Sequence, residues 1–308
     1  MRRVIAVIGA IFIVCLMADG PAGIRLHSQA TFRTRTDLVA VGVSVSDTKG
    51  SLVTNLSVED FEVFEDGVRQ SVQVFSRGVG AGGEIPLHLG LLFDKSLSLE
   101  RDLALERTAV TRFLARVPGV EDTTLVEFDT DVRLTRFRGN DTAGLATRLQ
   151  QATASGWTAF YDAVAVYFDG ADQTNGRTIL IMYTDGEDTR SQTTLTRLLN
   201  QLRASSITVY AVGLLNQVGP ARERLQARIR QMTELTGGLA FFPPTADDLD
   251  AVYNRLLEEL KAQYFLGYSS PNPKQDGTWR RIEVRVKGAG MRTRARPGYL
   301  AAARASRR

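Results

Sequence analysis

The sequence predicts an α/β fold in which a doubly wound, mostly parallel sheet is inserted between N- and C-terminal β segments that form a small β-sandwich. Strand-like apolar runs alternate with helix-like stretches through the middle of the 308-residue chain, which is typical of a parallel sheet covered by helices on both faces. Short alternating strands flank this region on both sides, and each flanking set is too small to be stable alone. We therefore expect the two flanks to pair with each other.

The N-terminal flank is predicted to contain three strands. Four valines alternate with other residues over Asp37–Ser46, which predicts a half-buried strand. An Asp-Gly dipeptide separates the runs Phe61–Glu65 and Val68–Phe75, and this dipeptide is a strong signal for a hairpin. The glycine-rich residues 78–84 predict a linker to the central region.

In the central region, continuous apolar runs predict buried strands and apolar residues at helical spacing predict helices. The predicted central elements are strand Leu87–Phe93, helix Leu99–Val117, strands Thr123–Phe128 and Val132–Phe137, helices Thr142–Ala152 and Ala159–Phe168, strand Arg177–Tyr183, helix Thr194–Ala204, strand Ser206–Leu214, helix Arg222–Leu235, strand Leu239–Phe242 and helix Ala246–Lys261. The C-terminal flank is predicted to contain strands Gln263–Tyr268, Arg280–Lys287 and Met291–Arg296.

The beginning of the chain predicts export. Three residues including two arginines precede the apolar run Val4–Met17, which is short for a membrane span and typical of a secretory signal. Cleavage is expected after Ala18 or Ala22, with an uncleaved anchor as the alternative. Cys15 is the only cysteine, so the mature chain is predicted to lack disulfides and to be periplasmic or secreted, with no membrane span. The predicted segments are a signal peptide at 1–22, a β module at 31–77 and 262–300, a central domain at 86–261 and a basic tail at 301–308.

Oxygen-bearing side chains follow the first predicted central strand. Asp94, Ser96 and Ser98 occupy alternate positions in the loop that leaves it, and ligands of open α/β sheets bind beyond the carboxyl ends of the strands. One carboxylate and two hydroxyls, without histidine or cysteine, form a set of hard oxygen donors. Such a set suits Mg²⁺, Mn²⁺ or Ca²⁺ and not zinc.

Two later segments complete a pattern. Thr158 lies in a Gly-led loop (GWT) before an apolar helix, and Asp185 follows the apolar strand TILIMY within YTDGED. With DKSLS, these parts resemble the three-part metal-ion-dependent adhesion site of the von Willebrand factor type A domain family. The resemblance covers residues 85–260 and implies a doubly wound, Rossmann-like domain.

The resemblance also implies ligand roles. Ser96, Ser98 and Thr158 would bind a divalent cation directly, most simply Mg²⁺, and Asp94 and Asp185 would bind it directly or through water. Three neutral hydroxyls and at most two carboxylates, either of which can bind through water, leave a divalent cation under-neutralised, so its open position favours an Asp or Glu carboxylate from a protein partner. Metal and partner should then bind cooperatively.

Two residues inside the first motif are atypical. Lys95 brings a positive charge close to the expected cation, and we interpret it as a side chain that points to solvent. Leu97 stands where the family often has glycine. The order of segments along the whole mature chain also resembles the secreted proteins related to this family that are described as acidobacterial.

The sequence thus predicts an exported, non-enzymatic, metal-dependent binding module of the adhesion type, with a protein partner and no nucleic acid. A structural envelope protein with a vestigial metal site is one alternative. A metal-assisted hydrolase is another, for which Asp162 and Glu187 are the candidate bases. His27 and His88 are the only histidines, and neither is expected to act as a base, because His27 lies in the N-terminal lead and His88 in a core strand.

Overall fold

The computed structural model describes residues 38–79, 85–139, 141–171, 176–215 and 218–301. Predictions that fall outside these residues are the signal peptide at 1–22 with Cys15, the lead containing His27, most of the linker at 78–84, and the tail beyond Ala301. Within the described residues, no helix combines the length and the apolar character that a membrane span needs.

The described residues alternate strands and helices as expected. The strands are β1 Leu38–Ser46, β2 Phe61–Glu65, β3 Val68–Gln70, β4 Val74–Arg77, β5 Leu87–Asp94, β6 Val120–Phe128, β7 Val132–Arg138, β8 Arg177–Tyr183, β9 Thr208–Val212, β10 Ala240–Phe241, β11 Tyr264–Ser269, β12 Trp279–Val286, β13 Arg292–Ala295 and β14 Gly298–Leu300. The helices are α1 Leu103–Leu114, α2 Thr142–Gln150, α3 Phe160–Ala171, α4 Leu195–Ala204, α5 Gly219–Glu234 and α6 Leu249–Ala262.

A six-stranded sheet in the order β10-β9-β8-β5-β6-β7 forms the centre of the fold. All neighbouring strands run parallel except β6 and β7, which pair antiparallel across a tight turn. Every residue of β8 is buried, as expected of a strand covered on both faces. On β5, Leu89, Leu91 and Phe93 join the core shared with α1 and α6, whereas Leu92 joins the core shared with α3, α4 and α5. The predicted doubly wound, mostly parallel sheet is confirmed.

The two flanks form two antiparallel sheets, in the orders β13-β1-β11-β4 and β14-β12-β2-β3. Each sheet contains strands from both ends of the chain, since β1 pairs with β11 and β13, and β2 pairs with β12. Alternate residues of both sheets meet in one core, to which β1 contributes Val41, Val43 and Val45, and β12 contributes Ile282 and Val284. The predicted pairing of the two flanks is confirmed.

The predicted single strand Val68–Phe75 is wrong, because the structure divides it between the two sheets. The Asp66–Gly67 turn has positive φ at both residues, 49° and 83°, and it joins β2 to β3 as the predicted hairpin. After β3 the chain crosses to the other sheet, where β4 pairs with β11. Such a change of sheet at the corner of a sandwich leaves no mark on the alternation of apolar residues.

Two helix starts and one strand also differ from expectation. A 3-10 turn at Leu97–Leu99 delays α1 to Leu103. The helix α5 begins earlier than predicted, at Gly219, with a proline in its first turn. The short strand β14, which pairs with β12, was not predicted.

A buried polar cluster fastens the sandwich to the amino end of the central strands. The Arg177 guanidinium donates to the Gly78 carbonyl at 2.9 Å and also to the Gln263 side chain. The Gln263 amide donates to the Tyr210 hydroxyl at 3.0 Å, and its backbone carbonyl accepts from the Gly78 N–H at 2.8 Å. Both chain segments that enter and leave the central domain therefore meet at Arg177.

The interleaved sheets predict that residues 24–80 do not fold alone. In isolation β1 and β4 lose β11 and β13 as partners, and β2 loses β12, so the remaining hairpin is too small to be stable. We expect poor chemical-shift dispersion for the fragment by NMR, and native dispersion after a fragment spanning residues 262–300 is added. A well-dispersed spectrum from the N-terminal fragment alone would contradict the interdependence of the flanks.

Candidate metal centre

Asp94 is the last residue of β5 and is completely buried. Its Oδ1 accepts hydrogen bonds from the Ser96 backbone N–H at 2.9 Å and from the Ser96 hydroxyl at 2.6 Å. Its Oδ2 accepts from the Thr184 hydroxyl at 2.9 Å, and Thr184 directly follows the neighbouring strand β8. The Asp94 carboxylate therefore joins the ends of two adjacent parallel strands.

Ser98 extends this cluster to the second carboxylate. The hydroxyl oxygens of Ser96 and Ser98 are 3.0 Å apart, and Ser98 hydrogen-bonds with the side chain of Asp185. Asp185 is completely buried, and its Oδ1 accepts from the Glu187 backbone N–H at 3.0 Å. Its Oδ2 is buried and has no hydrogen-bond partner among the described residues. Four of the five predicted ligands thus form one connected cluster.

Backbone hydrogen bonds bring the loop of Thr158, the fifth predicted ligand, to the same edge of the sheet. The buried Thr158 donates its N–H to the Thr189 hydroxyl at 3.0 Å, and its carbonyl accepts from the N–H groups of Thr189 and Arg190 at 2.9 and 3.1 Å. These contacts fix it to the loop after β8. The preceding Gly156 carbonyl accepts from the Leu97 N–H at 3.5 Å, which links the same loop to the one after β5.

Glycine is required at position 156 for the Thr158 loop to pack against the β6–β7 turn. The φ of Gly156 is +67°, a left-handed conformation that glycine adopts without strain. A Cβ at this position would lie 2.3 Å from the Thr130 hydroxyl oxygen, which accepts a hydrogen bond from the Trp157 N–H at 2.9 Å. A larger residue would displace the loop from the turn between β6 and β7.

The interpretation of Lys95 as a solvent-facing side chain is wrong. Its ammonium group forms an ion pair with Asp129 on the β6–β7 turn, and only 20% of the side chain is exposed. The same ammonium donates to the Ser155 hydroxyl at 3.3 Å, and the Ser155 N–H donates to the Lys95 carbonyl at 2.9 Å. The charge of Lys95 is therefore neutralised by Asp129, and its side chain ties together the loops that carry Ser96 and Thr158.

The electrostatics of the cluster fit a bound cation. Burial, together with the negative charge of Asp185, raises the pKa of Asp94 to about 7, and burial also raises the pKa of Asp185. Two buried carboxylates close to each other disfavour their charged forms, and a nearby cation reverses this effect. Within the described ranges, no group of three or more His, Cys, Asp or Glu side chains is placed to hold a metal. A cation here would depend on hydroxyl as well as carboxylate oxygens, which suits Mg²⁺ or Mn²⁺.

A buried carboxyl group that the sequence analysis missed lies behind the site. Glu106, in the first turn of α1, is completely buried, and neither of its oxygens makes a well-formed hydrogen bond among the described residues. Burial and the charge of Asp94 raise its pKa well above the ordinary value of 4.5. An interaction with the Tyr183 hydroxyl opposes this rise of the pKa only in part. The hydroxyls of Tyr183 and Tyr253 are buried close to this carboxyl group. The helical spacing of α1 places Glu106 on its buried face. The sequence does not show, however, that the carboxyl group is buried without well-formed hydrogen bonds.

Asp162, one of the two candidate bases of a hydrolase, has a structural role, and His88 lies far from the site. Both oxygens of Asp162 accept backbone N–H groups, from Gln192 at 2.9 Å and Thr193 at 2.8 Å, and these bonds lower its pKa against the opposing effect of burial. His88 is 2.9 Å from the Asp122 carboxylate at the amino end of the central strands, away from the candidate site. Neither group is aimed at the candidate site.

Residues 88–255 match the family model of the von Willebrand factor type A domain. The chain belongs to the von Willebrand factor type A domain family. The matched residues include β5 with Asp94, the GWT loop with Thr158 and β8 with Asp185. No curated protein matches this type A domain protein significantly at the level of sequence.

Similar proteins of low sequence identity are found among solved structures. The pilus adhesin SpaC from Lactobacillus rhamnosus GG, in an open conformation, is 11% identical with a TM-score of 0.51, over 82% of this chain and 49% of that chain. A von Willebrand factor type A protein from Catenulispora acidiphila is 12% identical with a TM-score of 0.48, over 88% and 74%. Proximal thread matrix protein 1 from the mussel byssus, with a zinc-occupied adhesion site, is 13% identical with a TM-score of 0.48, over 57% and 48%. This chain spans about half the length of the pilus adhesin and of the mussel protein.

Proposed function

We propose that this protein is an exported binding module of the adhesion type, in which a divalent cation captures an acidic side chain of a protein partner. Ser96, Ser98 and Thr158 would bind the cation through their hydroxyls, and Asp94 and Asp185 directly or through water. When bound, the cation would supply a Lewis-acidic centre with a position open to a carboxylate. Mg²⁺ is the favoured ion, with Mn²⁺ and Ca²⁺ as the other candidates.

The buried, unpartnered Oδ2 of Asp185 carries this proposal. A buried carboxylate oxygen without a hydrogen bond costs about 1–3 kcal/mol or more, and it stands here beside the Asp94–Ser96–Ser98 cluster. The hydroxyls of Ser96 and Ser98 each hydrogen-bond with one of the two carboxyl groups. The residues of this chain thus prepare a buried, oxygen-lined position with two carboxyl groups, which suits a divalent cation.

Export of the protein and its place among secreted relatives belong to the same proposal. The N-terminal charge and the apolar run Val4–Met17 favour export into the periplasm or beyond the cell. The order of segments along the chain still resembles the acidobacterial type of secreted relatives. We propose binding rather than catalysis, because both oxygens of Asp162 accept backbone hydrogen bonds and His88 lies at the opposite end of the central strands. Of the candidate bases, this leaves only Glu187, which lies beside Asp185.

We expect weak binding of Mn²⁺ alone, in the high micromolar to millimolar range, because the site has few charged ligands. Binding should tighten when an acidic peptide supplies the missing carboxylate. Isothermal titration calorimetry with Mn²⁺ tests this in the presence of 1–2 equivalents of an Asp-containing peptide, with the Asn-containing peptide as the matched control. Equal Mn²⁺ affinity with both peptides would remove the proposed role of the carboxylate.

A further inference from the structure

Two large apolar side chains are exposed directly beside the candidate metal centre. Trp157 is 67% exposed and immediately precedes Thr158, and Leu97 is 55% exposed between Ser96 and Ser98. Large apolar residues this exposed are few among the described residues, and these two stand in two of the three loops that carry the predicted ligands. Exposed apolar side chains that are grouped beside a polar site are typical of a surface that binds a partner.

The backbone holds these two residues next to each other. The Leu97 N–H donates to the carbonyl of Gly156, the residue before Trp157, at 3.5 Å. The Trp157 N–H donates to the Thr130 hydroxyl at 2.9 Å, which joins the Trp157 backbone to the β6–β7 turn. The Lys95–Asp129 ion pair and the Ser155–Lys95 hydrogen bond secure the same two loops. Exposure here is therefore built into an ordered surface, not produced by a loose loop.

An exposed basic residue lies on the loop that holds Thr158, among the acidic residues of the surrounding loops, which are Asp131, Glu187 and Asp188. Lys95 is neutralised by Asp129, so it does not repel a cation. Arg190 is exposed on the loop whose backbone holds Thr158, and its charge attracts a carboxylate-bearing segment. An exposed tryptophan next to a polar anchor point matches the composition of binding hot spots, in which aromatic residues exclude water from a central polar contact.

We propose that Leu97 and Trp157 form an apolar rim that selects partner segments in which the captured Asp or Glu is flanked by bulky apolar residues. This inference rests on the proposed function of the metal centre and adds the chemistry of the partner around the captured carboxylate. The rim covers the flanking residues of the partner and shields the carboxylate from water. A carboxylate with only small neighbours leaves both side chains exposed and gains little from them.

Three acetylated pentapeptides test the rim in the full-length protein with Mg²⁺: GLDFG, GGDGG and GLNFG. We expect GLDFG to bind the wild type about 10-fold more tightly than GGDGG, and GLNFG not to bind. In Trp157→Ala and in Leu97→Gly the ratio between the two Asp peptides should fall towards 1. Trp279→Ala removes the other tryptophan of the chain, on β12 of the sandwich, and should keep the 10-fold ratio.

A second readout follows Trp157 itself. In a Trp279→Phe background Trp157 is the only tryptophan, and acrylamide quenching of its fluorescence reports its exposure. GLDFG should protect it in Mg²⁺ and not in EDTA, and GGDGG should protect it in neither. Circular dichroism checks that each variant is folded.

The outcomes separate the two proposals. Equal binding of GLDFG and GGDGG overturns the rim and leaves the metal-dependent capture of a carboxylate intact. Binding of GLNFG as tight as that of GLDFG also overturns it, because the apolar surface would then act without the cation. A failure of both Asp peptides to bind in Mg²⁺ overturns the rim together with the proposed function.

Discussion

Replacing Asp94 with asparagine should reduce the affinity for Mn²⁺ by about 100-fold or more. The amide removes the charge of one of only two carboxylates in the cluster, and it places a donor where the carboxylate accepts from Ser96 and Thr184. The metal-free variant should be about as stable as the wild type, because removing a carboxyl group that burial forces towards its neutral form offsets the hydrogen bond lost to the amide donor. Titration calorimetry measures the first effect and thermal unfolding in EDTA the second.

Asp131→Asn is the matched control for this experiment. Asp131 is exposed on the nearby β6–β7 turn and contributes its backbone groups to that turn. Its substitution should leave Mn²⁺ affinity unchanged. Equal Mn²⁺ binding by the wild type and Asp94→Asn would refute the assignment of the site.

Replacing Glu106 with methionine should stabilise the protein by about 1–3 kcal/mol at neutral pH. The substitution removes two buried oxygens that make no well-formed hydrogen bond among the described residues and fills a similar volume with apolar atoms. It should also change the dependence of stability on pH. The free energy of unfolding, measured by urea denaturation at several pH values in EDTA, tests both effects.

The sign of the pH effect follows from the raised pKa of Glu106. Below pH 4.5 the carboxyl is protonated in both states, and it favours neither. Above this pH the unfolded chain releases the proton while the folded protein keeps it, so stability falls as pH rises, by about 1.4 kcal/mol per unit until the raised pKa of the folded state is reached. Glu106→Met should lose this contribution, so its advantage over the wild type grows with pH across that window.

The control for Glu106→Met is Glu223→Met, at an exposed position of α5. It should change neither the stability at neutral pH nor its pH dependence by more than a few tenths of a kcal/mol. Asp94 and Asp185 also have raised pKa values, so the comparison with the wild type isolates the share of Glu106. A lower stability of Glu106→Met at every pH would mean that the carboxylate is ionised and satisfied.

The parts of the fold that follow from local pattern were predictable. The apolar run of β5 ends at Asp94, and TILIMY ends before Thr184, so parallel pairing alone places both termini at one edge. The contacts that organise this edge were not predictable, because Lys95 meets Asp129 across 34 positions of sequence. No role for Thr184 followed from the sequence either, although its hydroxyl donates a hydrogen bond to Asp94. The division of Val68–Phe75 between two sheets likewise depends on partners at the far end of the chain.

The Arg177 cluster has a mechanical consequence. Gly78 and Gln263, on the two segments that connect the domains, are hydrogen-bonded to each other and to Arg177, and beyond them β4 pairs with β11 through Arg77 and Tyr264. The candidate site lies at the opposite, carboxyl end of the central strands. A pulling force applied by a bound partner would therefore pass from the type A domain to the β-sandwich through both connecting segments at once. The two connecting segments are hydrogen-bonded to each other, so we expect them to bear such a force together. Their pairing should also resist rotation of the type A domain about either segment alone.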